Sequence, residues 1–303
     1  MKDGHTTHGE SSFGKKLWCV LIVLFLGGIG WQVWKINAYN NAVREAKEAG
    51  FEWRCEDTFS LIRQDWHNAL KKETWGPHER MLDMTAREDP DLSRYREMLH
   101  HLRPTVLIAW RCKDENLDAL KSLTALQTLD LLGSDVLQNV DGLKSLTGLQ
   151  TLDLSNCDAL QNVDGLRGLT GLQSLDLRAC TALQNVDALK GLTALQSLDL
   201  RVCPALQYVD ALKGLTALQS LSLCLCPALQ NVDGLKGFTA LQKLDLSCCP
   251  SLQNVDALKG LTTLQWLDLF GCDKIPAATL RELRAALPKT DITFPDGTKN
   301  PPQ

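Results

Sequence analysis

LQSLDLRVCPALQYVDALKGLTA, residues 195–217, carries two periodicities in 23 residues. In its first part Leu198 and Leu200 alternate with Ser197 and Asp199, the period-2 signature of a strand with one buried face. In its second part Leu212 and Leu215 have helical spacing, and Asp210 stands where it can cap a short turn. A unit of one strand and one turn is too small to bury its own leucines. It needs neighbours, and the sequence supplies them. Leu126, Leu149, Leu172, Leu195, Leu218, Leu241 and Leu264 lie 23 residues apart, and each opens the pattern LxxLxL. Stacked copies share a continuous core and a parallel sheet whose strands run about 4.8 Å apart.

Extending the same register backward puts Val106, Ile108, Leu117, Leu120 and Leu123 on apolar positions. Extending it forward puts Leu287 and Ile292 on the first and sixth positions of a truncated ninth copy, with no insertion in between. The full pattern, LxxLxLxxCxxLxxVxxLxxLxx, resembles a leucine-rich repeat. The resemblance is to the cysteine-containing kind, similar to repeats in plant disease-resistance receptors and some bacterial proteins, and it covers about residues 103–294. The ending LRELRAALPKTDITF, 280–294, resembles the helix-then-strand finish of ribonuclease-inhibitor-like repeats. The implied fold is an α/β solenoid: a parallel β-sheet, short helices or turns on the convex side, and a C-terminal cap from about residue 276. Residues 295–303 are expected to be a disordered tail.

Cys157, Cys180, Cys203, Cys226, Cys249 and Cys272 all occupy the ninth position. There the chain leaves the strand and turns inward, so buried backbone groups need partners. A small side chain with a weak S–H donor fits, and a structural ladder is the expected role. A metal site needs converging ligands, whereas one row of thiols supplies a line. Disulfides between stacked positions fall within Cα reach, but side chains pointing the same way disfavour them. The off-register Cys224 and Cys248 are the better candidates for reactivity.

Outside the repeat, residues 17–34 read LWCVLIVLFLGGIGWQVW, without a charge and long enough as a helix to cross a hydrocarbon core. Trp18, Trp31 and Trp34 lie near its ends, as interfacial aromatics do. The expectation is an uncleaved transmembrane anchor after a short tail, 1–16; a cleaved signal ending near 36–38 and a buried helix are the alternatives. Lys2, Lys15 and Lys16 before the span balance Lys35, Arg44 and Lys47 after it. The Lys15–Lys16 pair abutting the membrane leans toward an extracytoplasmic repeat domain, and eleven cysteines argue against an oxidising compartment. Residues 36–102 are expected to form a helical spacer and cap, with Phe59, Ile62, Trp66 and Leu70 on one helix face and a further short helix from Leu92 to Leu102.

A net charge of -4 leaves no basic field for nucleic acid. His5, His8, His100 and His101 lack companion ligands, so no metal and no cofactor is expected. No loop is enlarged to carry a catalytic site, and no GxSxG, GxxxxGK[ST], HExxH or CxxC occurs. No catalytic residue is assigned. What remains is the open face of the strands. Asp130, Asp153, Asp176, Asp199, Asp245, Asp268 and Asp291 share the fifth position, with Ser222 the exception. Either they form a solvated polar face inherited by duplication or an acidic stripe for a basic partner or cation; Arg178 and Arg201 can neutralise its middle. Lys243, Trp266 and Phe270 depart from the repeat, as interface anchors do, although the aromatics can equally pack under the C-terminal cap. The expected function is a membrane-anchored, non-enzymatic module binding a protein or peptide through Asp153, Asp176, Arg178, Asp199, Arg201, Lys243, Asp245, Trp266, Asp268 and Phe270. The alternatives are an envelope scaffold without a specific ligand and a cytoplasm-facing module with reduced thiols.

Overall fold

The computed structural model of the chain describes residues 52–55, 80–84, 92–112 and 117–299. The expected span at 17–34 and the amphipathic stretch around Phe59–Leu70 lie outside these residues. Among the described residues no helix is long and apolar enough to cross a membrane.

One sheet of eleven strands runs in sequence order from end to end. Its strands are β1 (Glu52–Cys55), β2 (Arg80–Asp83), β3 (Val106–Ile108), β4 (Thr128–Asp130), β5 (Thr151–Asp153), β6 (Ser174–Asp176), β7 (Ser197–Asp199), β8 (Ser220–Ser222), β9 (Lys243–Asp245), β10 (Trp266–Asp268) and β11 (Asp291–Thr293). β1 pairs antiparallel with β2, and every later pairing is parallel. From β4 to β10 each residue faces its counterpart one copy on, as Leu175 faces Leu198 and Leu198 faces Leu221. A constant repeat length makes that register automatic. Behind each strand from β3 to β9 a turn of 3-10 helix, such as Asp210–Leu212, closes the coil. The leucines at positions 1, 4, 6, 12, 18 and 21 of the 195–217 copy, with Val209, are all but fully buried. Burying one leucine side chain contributes about 1.5–3 kcal/mol, so the stacked core outweighs local propensity.

The N-terminal cap differs from expectation. Within 36–102, read from sequence as helical, the described residues form β1 and β2 as well as a 3-10 turn (Leu92–Tyr95) and helix α1 (Arg96–Leu102). β2 pairs parallel with β3, so Leu82 continues the leucine row of the sheet. A four-residue strand is too short for periodicity to reveal, and only pairing identifies it.

The register also slips at both ends. Leu107, and not Val106, aligns with Leu129, so Leu107 and Ala109 take the inner positions and Ile108 faces outward. Four residues separate Cys112 from Leu117 where five separate Ser134 from Val140, and that shortening is the slip. At the other end Ile292 aligns with Leu267, and Asp291 aligns with Trp266 rather than with Asp268. Helix α2 (Ala277–Ala286) replaces the short turn here and adds two residues to the connection. Leu287 and Ile292 are buried, but as part of that longer coil.

The tail is ordered further than expected. Phe294 N–H donates to the Thr298 carbonyl at 2.8 Å, and Thr293 bridges to Lys299. Asp296 stabilises this turn by accepting from Thr298 N–H at 2.9 Å and Thr298 Oγ1 at 2.7 Å.

Candidate binding face and the buried thiol row

Each coil turns a corner just after its strand, and the hydrogen bonds there account for both recurring polar rows. At the corner the residue in the eighth position is left-handed in copy after copy: Gly133, Asn156, Ala179, Val202, Leu225, Cys248 and Gly271 all have φ between 56° and 72°. Its N–H donates to the next coil, as Val202 N–H does to the Cys224 carbonyl at 2.9 Å. The seventh-position N–H has no neighbouring strand to meet. The aspartate two residues earlier accepts it, in an Asx turn.

The distances are uniform. Asp Oδ1 accepts Leu132 N–H at 3.0 Å from Asp130, Ser155 at 2.8 Å from Asp153, Arg178 at 2.9 Å from Asp176 and Arg201 at 3.0 Å from Asp199. Asp245 accepts Ser247 at 3.0 Å and Asp268 accepts Phe270 at 2.9 Å. The row therefore terminates strands before it does anything else. Ser222 turns its hydroxyl toward Asp245 Oδ2, at 3.5 Å. Asp291 leaves the row because of the slipped register, with Thr293 in its place. Asp83 of β2 joins it, and sequence could not place it without the pairing of β2.

The side-by-side carboxylates are also partly neutralised from within. Arg201 holds Asp199 through Nε and Nη2 at 2.6–3.0 Å, and Arg178 Nη2 lies 3.3 Å from Asp176 Oδ2. Trp110 Nε1 donates to Asp130 Oδ2 at 2.8 Å. Burial raises the pKa of Asp130 and of Asp176 above the ordinary carboxylate value, reinforced by neighbouring aspartates in each case.

Inside the same corner, the carbonyl of the sixth-position leucine points into the core. The cysteine of the following coil donates its S–H to it: Cys157 to Leu131, Cys180 to Leu154, Cys203 to Leu177, Cys226 to Leu200, Cys249 to Leu223 and Cys272 to Leu246, at 3.0–3.7 Å. All six are fully buried free thiols. Burial pushes them up, Cys157 to about 12 and Cys226 and Cys272 to about 11, which keeps them protonated and poor nucleophiles. Ser134 fills the ninth position one coil earlier, but its Oγ donates to the Leu131 carbonyl of its own coil at 2.7 Å and accepts Cys112 N–H at 3.0 Å. The slip in the first copy hid Cys112, which follows the left-handed Arg111 as the ladder cysteines follow theirs.

The convex turns carry a third row that sequence reasoning missed. The expected cap by Asp210 is absent as such; the aspartate is the first residue of the 3-10 turn. In five other copies an asparagine two residues earlier accepts the aspartate N–H, as Asn254 does from Asp256 at 2.9 Å. Tyr208 stands in that place in its copy and is exposed.

The residues not spoken for by the corner are those at the third and seventh positions. Lys243, Trp266 and Asp291 are paired neighbours on β9, β10 and β11. Phe270, exposed, is four residues along from Trp266 and beside the Gly297 turn. Trp266 is half-buried. Arg178 and Arg201 stand in adjacent coils, and Trp110 and Phe270 are at opposite ends of the seventh-position row. The structure thus brings Lys243, Asp245, Trp266, Asp268 and Phe270 together at one end, and Asp153, Asp176, Arg178, Asp199 and Arg201 in the middle.

The family model described as the Endo-beta-N-acetylglucosaminidase EndoS LRR domain matches residues 114–211, less than half of the chain. Comparison with curated proteins gives no match. Among solved structures, an internalin (inlF) from Listeria monocytogenes superposes with TM-score 0.56 at 22% identity, over 65% of this chain and 56% of that chain. This chain therefore spans little more than half the length of that internalin. The leucine-rich repeat domain of the type III effector XopL superposes with TM-score 0.57 at 27% identity, over 65% of this chain and 71% of that one. The chain has the fold of a leucine-rich-repeat solenoid. In such a solenoid the strand side is an extended surface and the loops are short, which is how this leucine-rich-repeat chain is built throughout its described repeats.

Proposed function

We propose that this chain is a membrane-anchored, non-enzymatic interaction protein that binds a protein or peptide on the concave face of its repeats. The observation that supports this reading is the division of labour at the corner. The aspartates are engaged by backbone, so they repeat; Arg178, Arg201, Lys243, Trp266 and Phe270 are not required by the corner, yet they depart from the repeat on the open face. Exposed aromatics beside charge are typical anchors of an interface. The apolar stretch at 17–34 supports anchoring, with the repeats outside the cytoplasm as the favoured side. The repeat is of the cysteine-containing kind in this reading, its thiols serving the ladder. The domain division follows: anchor at 17–34, cap within 36–102, repeats over 103–294.

The experiment is partner capture from a membrane extract by the full chain, with two paired variants. Trp266→Ala with Phe270→Ala, and separately Arg178→Ala with Arg201→Ala, are each expected to weaken capture of the same partner at least about tenfold, the loss of about 1.4 kcal/mol from an anchor site. Capture unchanged by both pairs sinks the concave-face reading. A scaffold without a ligand is the second reading, favoured by the structural role of the aspartate row, and it predicts capture no better than background.

A further inference from the structure

We infer that Cys224 and Cys248 are a reversible dithiol–disulfide pair joining two adjacent coils. They stand apart from the six ladder cysteines in exposure and in position. Both are partly exposed while the ladder thiols are fully buried, and neither occupies the ninth position. Cys224 sits at the seventh position on the open side of the corner and Cys248 at the eighth position of the next coil. The backbone between them is already tied together: Leu225 N–H donates to the Ser247 carbonyl at 2.9 Å, directly between the two residues in the ladder. That bond holds the two coils at the spacing of neighbouring strands, about 4.8 Å, where the two cysteines lie. That lies within the window a disulfide spans, about 4.4–6.8 Å.

The surroundings allow the pair to close. Gly271 follows Cys248 in the left-handed row, and a Cβ added there would be in contact with Cys248 Sγ at 3.7 Å; the glycine's lack of a side chain leaves the thiol room to rotate toward Cys224. Burial raises the Cys224 pKa and Cys248 is close enough to add to that rise, while Ser247, next to Cys248 in the chain, hydrogen-bonds the Cys224 side chain. Neither residue is needed by the fold at its position. Ser155 and Ser247 fill the seventh position in other copies, and Asn156 and Gly271 fill the eighth.

The oxidant is a low-molecular-weight disulfide such as glutathione disulfide. One thiol loses its proton and attacks a sulfur of the oxidant, releasing one reduced thiol and leaving a mixed disulfide. The second thiolate attacks the protein sulfur of that bond and expels the other half as a second reduced thiol. The pair loses two hydrogens and two electrons, and the oxidant gains both.

The test is the full chain incubated with glutathione disulfide, digested without reductant and read by peptide mass. The expected result is a product lighter by two hydrogens, with the peptides containing Cys224 and Cys248 linked, and its loss on adding dithiothreitol. Cys224→Ser and Cys248→Asn, residues the neighbouring coils already accommodate, are each expected to stop at one glutathione adduct on the remaining thiol. Two adducts on the unaltered chain without a cross-link, a cross-link through Cys226 or Cys249 instead, or no reaction at all would each overturn the pair.

Discussion

The inner and outer rows of the corner make an instructive contrast. Cysteine at the ninth position and aspartate at the fifth recur with the same period, and each hydrogen-bonds one backbone group at the turn. The cysteine donates into the dry core to a carbonyl, while the aspartate accepts at a half-exposed rim from an N–H. The physical difference is the solvent. Water can replace the aspartate's hydrogen bond at modest cost, but nothing can replace the thiol's without opening the core. The same logic explains why the outer row tolerates Ser222 and Thr293 while the inner row among the described copies departs from cysteine only for Ser134, another small donor.

The contrast predicts an order of effects. Cys203→Ala removes the thiol donor from the Leu177 carbonyl, leaving it the Cys180 N–H at 3.3 Å, and opens a small void in a closed interior, so a loss of about 1–3 kcal/mol is expected in denaturant unfolding. Cys203→Ser keeps a donor of similar size and should lose clearly less. Equal losses for the two would show that packing rather than the hydrogen bond governs the inner row. At the outer row, Asp153→Ala removes an acceptor from Ser155 N–H and is expected to cost about 1 kcal/mol, the usual value of such a cap. Asp153→Asn keeps the acceptor and removes one of a line of like charges, so stability within about 0.5 kcal/mol of the parent is expected. If the asparagine variant is as damaged as the alanine variant, the carboxylate charge matters and the Asx turn is not the reason for the row.

The smallest expected effect is a pH dependence. Asp130 and Asp176 have raised pKa values in the fold because burial disfavours their charged forms. The folded state therefore holds their protons more tightly than the unfolded chain does. Their contribution to stability is fully present below the unfolded value near 3.8 and is lost as pH rises through the raised folded value. Asp176→Asn abolishes this titration, so the unfolding midpoint of the parent should fall relative to that variant between acid and neutral pH. A parent that instead gains on the variant over that interval would mean that the Arg178 ion pair outweighs burial.

The centre of the molecule was the most legible in sequence. From Leu126 to Cys272 the apolar period alone places the recurring leucines, the ladder cysteines and the parallel register, because each copy repeats the environment of the last. The ends were not legible by the same rule. Val106 and Leu107 are both apolar, so a slip of one residue leaves the pattern intact while turning Ile108 outward. Asp291 looks like a member of the fifth-position row until helix α2 lengthens its coil and moves it beside Trp266. The strands at Glu52–Cys55 and Arg80–Asp83 carry no period of their own.

Of the candidate site, sequence identified which residues depart from the repeat, Lys243, Trp266 and Phe270 among them, because a departure is visible in one dimension. It did not show that the aspartates beside them are held by backbone. That depends on the left-handed residue at the eighth position, which is glycine in some copies and Val202 or Leu225 in others, so composition gives no sign of it. By itself the sequence determined a stacked core with a 23-residue period, since hydrophobic burial follows the order of apolar residues along the chain. Only the tertiary structure decided what the polar rows do, because a side chain's partner is set by where the turning backbone and the next coil bring their N–H and C=O groups.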